Sequence, residues 1–411
     1  MSKVPICRHC GADLTNTLVD LGLSPLANSY VPPEHANKPC PTYPLHARVC
    51  DQCFLVQVED AVPADAIFSA DYAYFSSFSD SWLEHCKRYA DVVTDRFNLK
   101  SDDLVVEIAS NDGYLLQYFV EKGIQVLGIE PAANVAKVAE ERGVKTRVDF
   151  FGEELARELY ETGVKPSLIC SANVLAHVPD INNFVRGLAA LLTGDAVYTV
   201  EFPHLLNMIE KVQFDTIYHE HYTYLSLVSV ERIFAAAGLR VFDVEILATH
   251  GGSLRVYACL NDASHVQTPA VEHNRMREKT AGLHDLSGYA GFEEKVQAVR
   301  DGVLEFLQRA KAEGKTVAAY GAAAKGNTLL NYCGVGPELI SYCVDRNPAK
   351  QNTLLPGSHI AVFDPEKLRS DRPDYVVILP WNLKHEIAGQ LTDLAEQGTQ
   401  FVVPVPRLEV F

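Results

Sequence analysis

The sequence contains no run of about 18 uncharged apolar residues, the length a membrane-spanning helix requires, and its opening stretch MSKVPICRHC lacks the apolar centre of a secretory signal. These absences predict a cytoplasmic protein with no membrane partner. Basic residues are scarce: 36 Lys and Arg stand against 53 Asp and Glu, a formal net charge of −17. A general nucleic-acid binder neutralises phosphates over a broad basic surface, so nucleic acid is not an expected partner. A phosphate-bearing ligand would have to meet a local basic cluster. What is present is an ordinary globular composition, 47% hydrophobic and 22% charged, in 411 residues, more than one core usually supports. Two or three domains are expected.

In a reducing compartment ten cysteines do not suggest five disulfides. Cys7-x-x-Cys10 and Cys50-x-x-Cys53 form two knuckles, and four thiolates so paired suit tetrahedral Zn(II) with no position left for water. The metal would be structural, stapling residues 1–68, a region with little core of its own. His9 and Cys40 are substitute ligands.

From about residue 70 strand and helix signals alternate. DLVVEIAS, QVLGIEP, SLICSAN and AVYTVEF read as buried strands; NDGYLLQYFVEKG and NVAKVAEERG read as helices. A second α/β unit begins near residue 314, with strands in GKTVAAYG, ELISYCVDRNP, DYVVILPWN and QFVVPVP. Residues 262–313 between them are polar and helix-prone. The fold class is therefore α/β, with two parallel sheets covered by helices and ligands at the carboxyl ends of the strands.

Both units carry nucleotide-like turns. In EIASNDGYLL an acid, Glu107, ends a strand and Gly113 precedes a helix; Glu130 ends the next strand, where a carboxylate can accept both hydroxyls of a ribose. The turn is not G-x-G-x-x-G, which argues against NAD there. In YGAAAKGN, Lys325 sits in a glycine-flanked turn ahead of a helix, a place where backbone N–H groups and an ammonium can share a diphosphate, although the spacing is not that of a Walker A loop. Asp345 ends the following strand, and Arg346 and Lys350 add positive charge.

YHEHY, residues 218–222, crowds two imidazoles and a carboxylate between two phenols. On a regular strand Tyr218, Glu220 and Tyr222 would share one face and His219 and His221 the other, so a turn or bulge is implied if acid and base both act. The segment also reads as a hydrogen-bonded structural corner, or as a His-x-His metal pair without a third ligand.

Together the knuckles, YAYFSSFS, VEIASNDGYLL, GIEPA, NVLAHVPD, VEFPHL, QFDTIYHEHYTYLS, THGGSLRVY, AYGAAAKGNTLLN and ILPWNL closely resemble the sugar C-methyltransferases that act on nucleotide-linked 4-keto-deoxysugars. The resemblance implies a zinc-binding N-terminal domain (1–68), a Rossmann-like class I methyltransferase domain binding S-adenosylmethionine (69–265), and a second Rossmann-like domain for the nucleotide sugar (266–411). It implies that Glu107, Asn111, Gly113, Glu130 and Asn173 surround the cofactor and that Tyr72 and Tyr74 gate its sulfonium. It makes His221 the base that removes the sugar C3 proton, with Tyr218 beside it, Glu220 relaying a proton or orienting a ring substituent, and His177 polarising the C4 oxygen. Tyr222, Glu201 and His204 would contact the sugar, and Lys325, Asn327 and Arg346 the nucleoside diphosphate, whether dTDP or GDP. A monomer is implied. The competing readings are an NAD-dependent nucleotide-sugar dehydrogenase or epimerase using the C-terminal unit, and a non-catalytic zinc-stapled scaffold.

Overall fold

A computed structural model describes residues 4–60 and 76–411; Tyr72 and Tyr74 lie outside the described residues. Three sheets organise the chain. The first is four-stranded and antiparallel: β1 (Asn16–Ser24), β2 (Tyr43–Val49), β3 (Val56–Gln57) and, from far along the sequence, Thr223–Tyr224.

The middle sheet is seven-stranded. Its parallel strands are β4 (Leu104–Ile108), β5 (Gln125–Ile129), β6 (Thr146–Arg147), β7 (Leu168–Ala172) and β8 (Val197–Pro203). The strand Thr223–Tyr224 is β9 of the first sheet; β10 (Leu239–Leu247) and β11 (Ser253–Leu260) complete the middle one, in the order β10-β11-β8-β7-β4-β5-β6. Here β11 runs antiparallel to β8, so an antiparallel hairpin extends the expected parallel sheet. That hairpin was not foreseen: LRVFDVEIL and SLRVYACL carry charged residues within their apolar pattern. Strand order reverses between β4 and β7, and the crevice beyond their carboxyl ends is where ligands of such sheets sit.

The third sheet has six strands, with β12 (Val317–Tyr320) central, β13 (Cys343–Val344) and β14 (Val362–Phe363) on one side, and β15 (Tyr375–Ile378), β16 (Gln400–Val403) and antiparallel β17 (Glu409–Val410) on the other. The polar stretch 262–313 holds two helices with different loyalties. Pro269–Thr280 packs on β10, while Phe292–Ala312 packs on β1 and on helix Ala324–Cys333 of the third unit.

Packing is shared across the units. One apolar core runs from Leu18, Leu45 and Val56 through Leu205, Phe214 and Ile217 to the third sheet. The segment 205–228, which contains the YHEHY cluster, is thus clamped between the first sheet and the third. Among the described residues no helix is long and apolar enough to cross a membrane.

Candidate active site

The four knuckle thiols converge. Cys7 Sγ lies 3.5 Å from Cys53 Sγ, and Cys10 Sγ 3.5 Å from Cys50 Sγ, all four within 4.8 Å of one another. Each knuckle closes with a left-handed residue, Gly11 (φ 75°) and Phe54 (φ 59°), and Gly11 and Phe54 donate N–H to the carbonyls of Cys7 and Cys50. Four soft donors at tetrahedral spacing, with no fifth metal-ligating group joining them among the described residues, fit a structural zinc. His9 and Cys40 are not needed: His9 bonds Asn182 at 2.8 Å and Cys40 meets His359 at 3.3 Å.

At the crevice of the middle sheet, Glu107 is fully buried, and neither of its carboxylate oxygens is at hydrogen-bond distance from a partner among the described residues. Burial is the largest reason its carboxyl is pushed well above the usual range; the nearby Tyr114 hydroxyl opposes this, and Glu130 and Asp112 add to it. Glu130 accepts backbone N–H from Asn111 (3.0 Å) and Ala132 (2.9 Å), while Asn111 Oδ1 accepts from Ser76 N at 2.9 Å. Asn173, held at φ 58° just beyond β7, has its Oδ1 buried without a partner among the described residues. A pocket with unmatched buried acceptors suits a ligand rich in donors and carrying positive charge, which is the character of S-adenosylmethionine. At φ 78° the missing Cβ of Gly113 would sit 3.1 Å from Val144 Cγ2 and 3.3 Å from Ala139, so the glycine also admits helix Ala133–Glu141. The turn and then helix expected of NDGYLLQYFVEKG are both present, the helix at Gln117–Glu121.

YHEHY is neither strand nor bulge. His221 N donates to Tyr218 O at 2.9 Å, a tight turn that splits the five side chains between two destinations. His219 donates from Nε2 to Pro44 O (3.1 Å), Glu220 accepts from Asn28 Nδ2 (2.8 Å to each oxygen), and the buried Tyr222 ring lies beneath the Arg8 guanidinium at 5.2 Å. All three face the N-terminal module. This moves Tyr222 away from the sugar contact expected of it and separates His219 from His221, which removes the His-x-His metal pair.

Tyr218 and His221 face the other way. His221 Nδ1 donates to Thr216 O at 2.9 Å, and its Nε2 accepts from the Tyr218 hydroxyl at 2.8 Å, the ring centroids 4.0 Å apart and the planes tilted by 32°. The Nδ1–H tautomer is therefore fixed by the backbone. Burial, then the neighbouring His177, then His250 and Lys325, hold the His221 pKa well below the ordinary histidine range, and the Thr216 carbonyl opposes this in part. His177 stands 4.6 Å away edge to face, its pKa brought by burial to about 4 against a Glu220 backbone hydrogen bond.

His250 escaped the sequence reading. It occupies a left-handed position (φ 52°) in the Thr249–Gly251 turn between β10 and β11, where Asn173 Nδ2 donates to its Nε2 at 3.0 Å. The glycines of THGGS explain the turn: a Cβ on Gly251 would lie 2.5 Å from the Trp381 ring, and one on Gly252 2.5 Å from Asn207. Glu201 braces this turn. It accepts from Thr249 (2.7 Å), His85 (2.8 Å) and Arg255 (3.1 Å). Burial alone would raise its pKa, but His85, Arg255 and Thr249 together bring it down to about 2. Its oxygens are therefore already engaged by protein, which disfavours the sugar contact expected of it.

Two further expectations move. His204 is buried and donates to Glu278 at 2.6 Å; Glu278 in turn accepts the first N–H groups of helix Leu227–Ala236, so this pair caps a helix and has no path to a sugar. Asn327 is buried, donating to Ala27 O at 2.6 Å, and so ties the third unit to the first instead of meeting phosphate. Arg346 is exposed on the turn after β13.

Comparison with known proteins decides the family. The chain is 37% identical over 404 residues to C-methyltransferase NovU of Streptomyces niveus, covering 98% of this chain and 96% of that protein. The chain belongs to the C-methyltransferase family. Family models divide this C-methyltransferase into a zinc binding domain at residues 7–68, a methyltransferase domain at 81–244 and a C-methyltransferase C-terminal domain at 248–406. A more distant relative, the ubiquinone biosynthesis O-methyltransferase of Rhodopseudomonas palustris (strain BisA53), is 23% identical over 159 residues, 34% of this chain and 63% of that protein. Among solved structures, the 1,6-didemethyltoxoflavin-N1-methyltransferase of Burkholderia thailandensis, with 1,6-didemethyltoxoflavin and S-adenosylhomocysteine bound, aligns at a TM-score of 0.38 and 16% identity over 52% of this chain and 98% of that one. The C-methyltransferase uses S-adenosylmethionine and carries a zinc-binding N-terminal domain; none of the matched families supports the dehydrogenase reading.

Proposed function

We propose that this enzyme methylates C3 of a nucleotide-linked 4-keto-6-deoxyhexose, carried on dTDP or GDP, after His221 removes the C3 proton. The observation that carries the reading is the setting of His221: one nitrogen pinned to a backbone carbonyl, the other on a phenol, and the ring kept neutral by burial. When bound, S-adenosylmethionine supplies an electrophilic methyl group. The protein's task is to make a carbon nucleophile, and a sugar C–H is acidic enough only beside a ketone.

As the Tyr218 hydroxyl turns from His221 Nε2 to the C4 oxygen of the sugar, the Nε2 lone pair is released to take the C3 proton. The C–H electron pair becomes the C3–C4 double bond, and the carbonyl electrons move to the oxygen that Tyr218 then faces. The burial that keeps His221 neutral also makes the added proton costly to hold, so the negative oxygen must form nearby to offset it. His177 stands at ring contact with His221 in the same chamber, its N–H engaged by the Glu220 backbone. Glu107, Asn111, Glu130 and Asn173 hold the cofactor in this reading.

The test is direct. Incubated with S-adenosylmethionine and dTDP- or GDP-4-keto-6-deoxyhexose, the protein should yield a product one methyl heavier at carbon, and His221→Ala should lower the rate by about 100-fold or more. A methyl on oxygen or nitrogen would overturn the carbon assignment.

A further inference from the structure

Lys325 stands at the helix start expected of it, and its side chain is turned to other groups of the protein. It opens helix Ala324–Cys333 and reaches toward the reaction chamber. Its Nζ donates to Asn382 Oδ1 at 2.7 Å and lies 4.7 Å over the Trp381 ring. The same indole is held from below by Asp215, which accepts from Trp381 Nε1 at 2.6 Å, and its outer edge touches the glycine turn that presents His250. A second bond from the same helix, Thr328 Oγ1 to Ile217 O at 3.1 Å, fixes Lys325 relative to the backbone that orients His221, since Thr216 is the residue that receives His221 Nδ1–H. The ammonium is thus locked by Trp381, Asn382 and Thr328 against the catalytic loop, and its charge is felt by His221, His250 and Asp215.

A cation so placed has one carboxylate for company, the fully buried Asp215, whose Oδ1 has no hydrogen-bond partner among the described residues. Burial raises Asp215 to about 6, and Lys325 and the Trp381 indole oppose that rise. Burial lowers the Lys325 pKa from the ordinary lysine range and Asp215 opposes that, so the ammonium depends on this carboxylate among imidazoles whose pKa values are lowered by burial.

We propose that Lys325 is a catalytic residue, its ammonium donating to the carbonyl oxygen on which negative charge gathers as His221 withdraws the proton from the neighbouring carbon. This rests on the carbanion reading given above. The electron pair released by the C–H bond ends on that oxygen, the proton ends on His221 Nε2, and Lys325 keeps its own protons throughout. The site therefore takes an enolisable ketone, and the third unit contributes to chemistry as well as to binding.

The experiment follows solvent deuterium exchange at C3 of dTDP- and GDP-4-keto-6-deoxyhexose by NMR, using the full-length, metal-loaded protein with S-adenosylhomocysteine in place of the methyl donor. In parallel, dTDP, GDP and S-adenosylhomocysteine are titrated calorimetrically. Lys325→Gln should slow exchange by about 100-fold or more, as expected for loss of an oxyanion donor, while dTDP and GDP affinities stay within about threefold; Lys325→Arg should recover part of the rate. Retained exchange at saturating sugar together with a tenfold or greater loss of dTDP or GDP affinity would overturn the proposal and make Lys325 a phosphate ligand. Should Lys325→Gln fail to bind S-adenosylhomocysteine, Asn382→Ala, which keeps the charge and removes its anchor, carries the test: slowed exchange supports the proposal and unchanged exchange sinks it. Absence of C3 exchange in the wild-type protein, with S-adenosylhomocysteine still bound, would instead overturn the substrate reading itself and this proposal with it.

Discussion

Glu130 and Asp345 occupy the same place in the two parallel-stranded sheets, one residue beyond the second strand of each. Each accepts a backbone N–H from the turn that follows the first strand (Asn111 for Glu130, Ala322 for Asp345) and another from two residues further on (Ala132 and Asn347), at 2.8–3.0 Å. Beyond that they diverge. Around Glu130 lie the unmatched buried oxygens of Glu107 and Asn173. Around Asp345 the Ala322 carbonyl is already taken by the Tyr30 hydroxyl and by Lys350 Nζ at 2.7 Å, and Lys350 stands 3.9 Å from the carboxylate itself. One local rule builds both turns; what distinguishes them is which polar groups the protein leaves unsatisfied. The first is short of donors, as a cofactor pocket should be, and the second has a cation and a phenol from the N-terminal module seated on it.

The sharpest way to break that contrast is to remove the metal. Chelation should unravel the module that carries Asn28 and Tyr30 and lower the melting temperature by about 10 °C or more, since structural zinc contributes folding energy outright. Hydrogen exchange at the turn after β12 should rise while S-adenosylhomocysteine affinity changes little; calorimetry and exchange mass spectrometry read the two. Next, Glu130→Ala should weaken S-adenosylhomocysteine about 100-fold, whereas Asp345→Ala should leave that affinity within about threefold. Both should cost stability of about 1–3 kcal/mol, because each strands two backbone donors. The smallest effect concerns acids within the first site. Glu201 is held below its unfolded value, so it contributes stability above about pH 4.5 that is lost as pH falls toward about 2. Glu107, shifted upward, contributes stability at low pH that is lost as pH rises. Glu201→Gln should therefore flatten the acid limb of urea stability measured across pH, and Glu107→Gln should not.

Much of the frame was legible because the physical signals were local. Apolar runs ending in Glu107 and Glu130 mark buried strands, and paired thiols mark a metal. The hairpin β10–β11 was not legible, since its charged residues find partners such as Arg255 with Glu201 only after folding. The chamber was read in half. His221 and His177 stood out through the family resemblance, but His250, Asp215 and Trp381 acquire their meaning from contacts between remote segments: Asp215 and Trp381 are separated by 166 residues. The glycine pair of THGGS was the available sign that something must pack closely there. Conversely His204, Asn327 and Tyr222, plausible by residue type, are committed to structure by partners that no local pattern announces.

The pairing of Thr223–Tyr224 with Val56–Gln57 has a practical corollary. A chain trimmed to begin at helix Asp80–Phe97 would keep the whole seven-stranded sheet and still look like a complete transferase by its cofactor pocket. It would nevertheless present His221, the proposed proton acceptor, on a ribbon with no neighbouring strand, and the expected behaviour is a fragment that binds S-adenosylmethionine and turns nothing over.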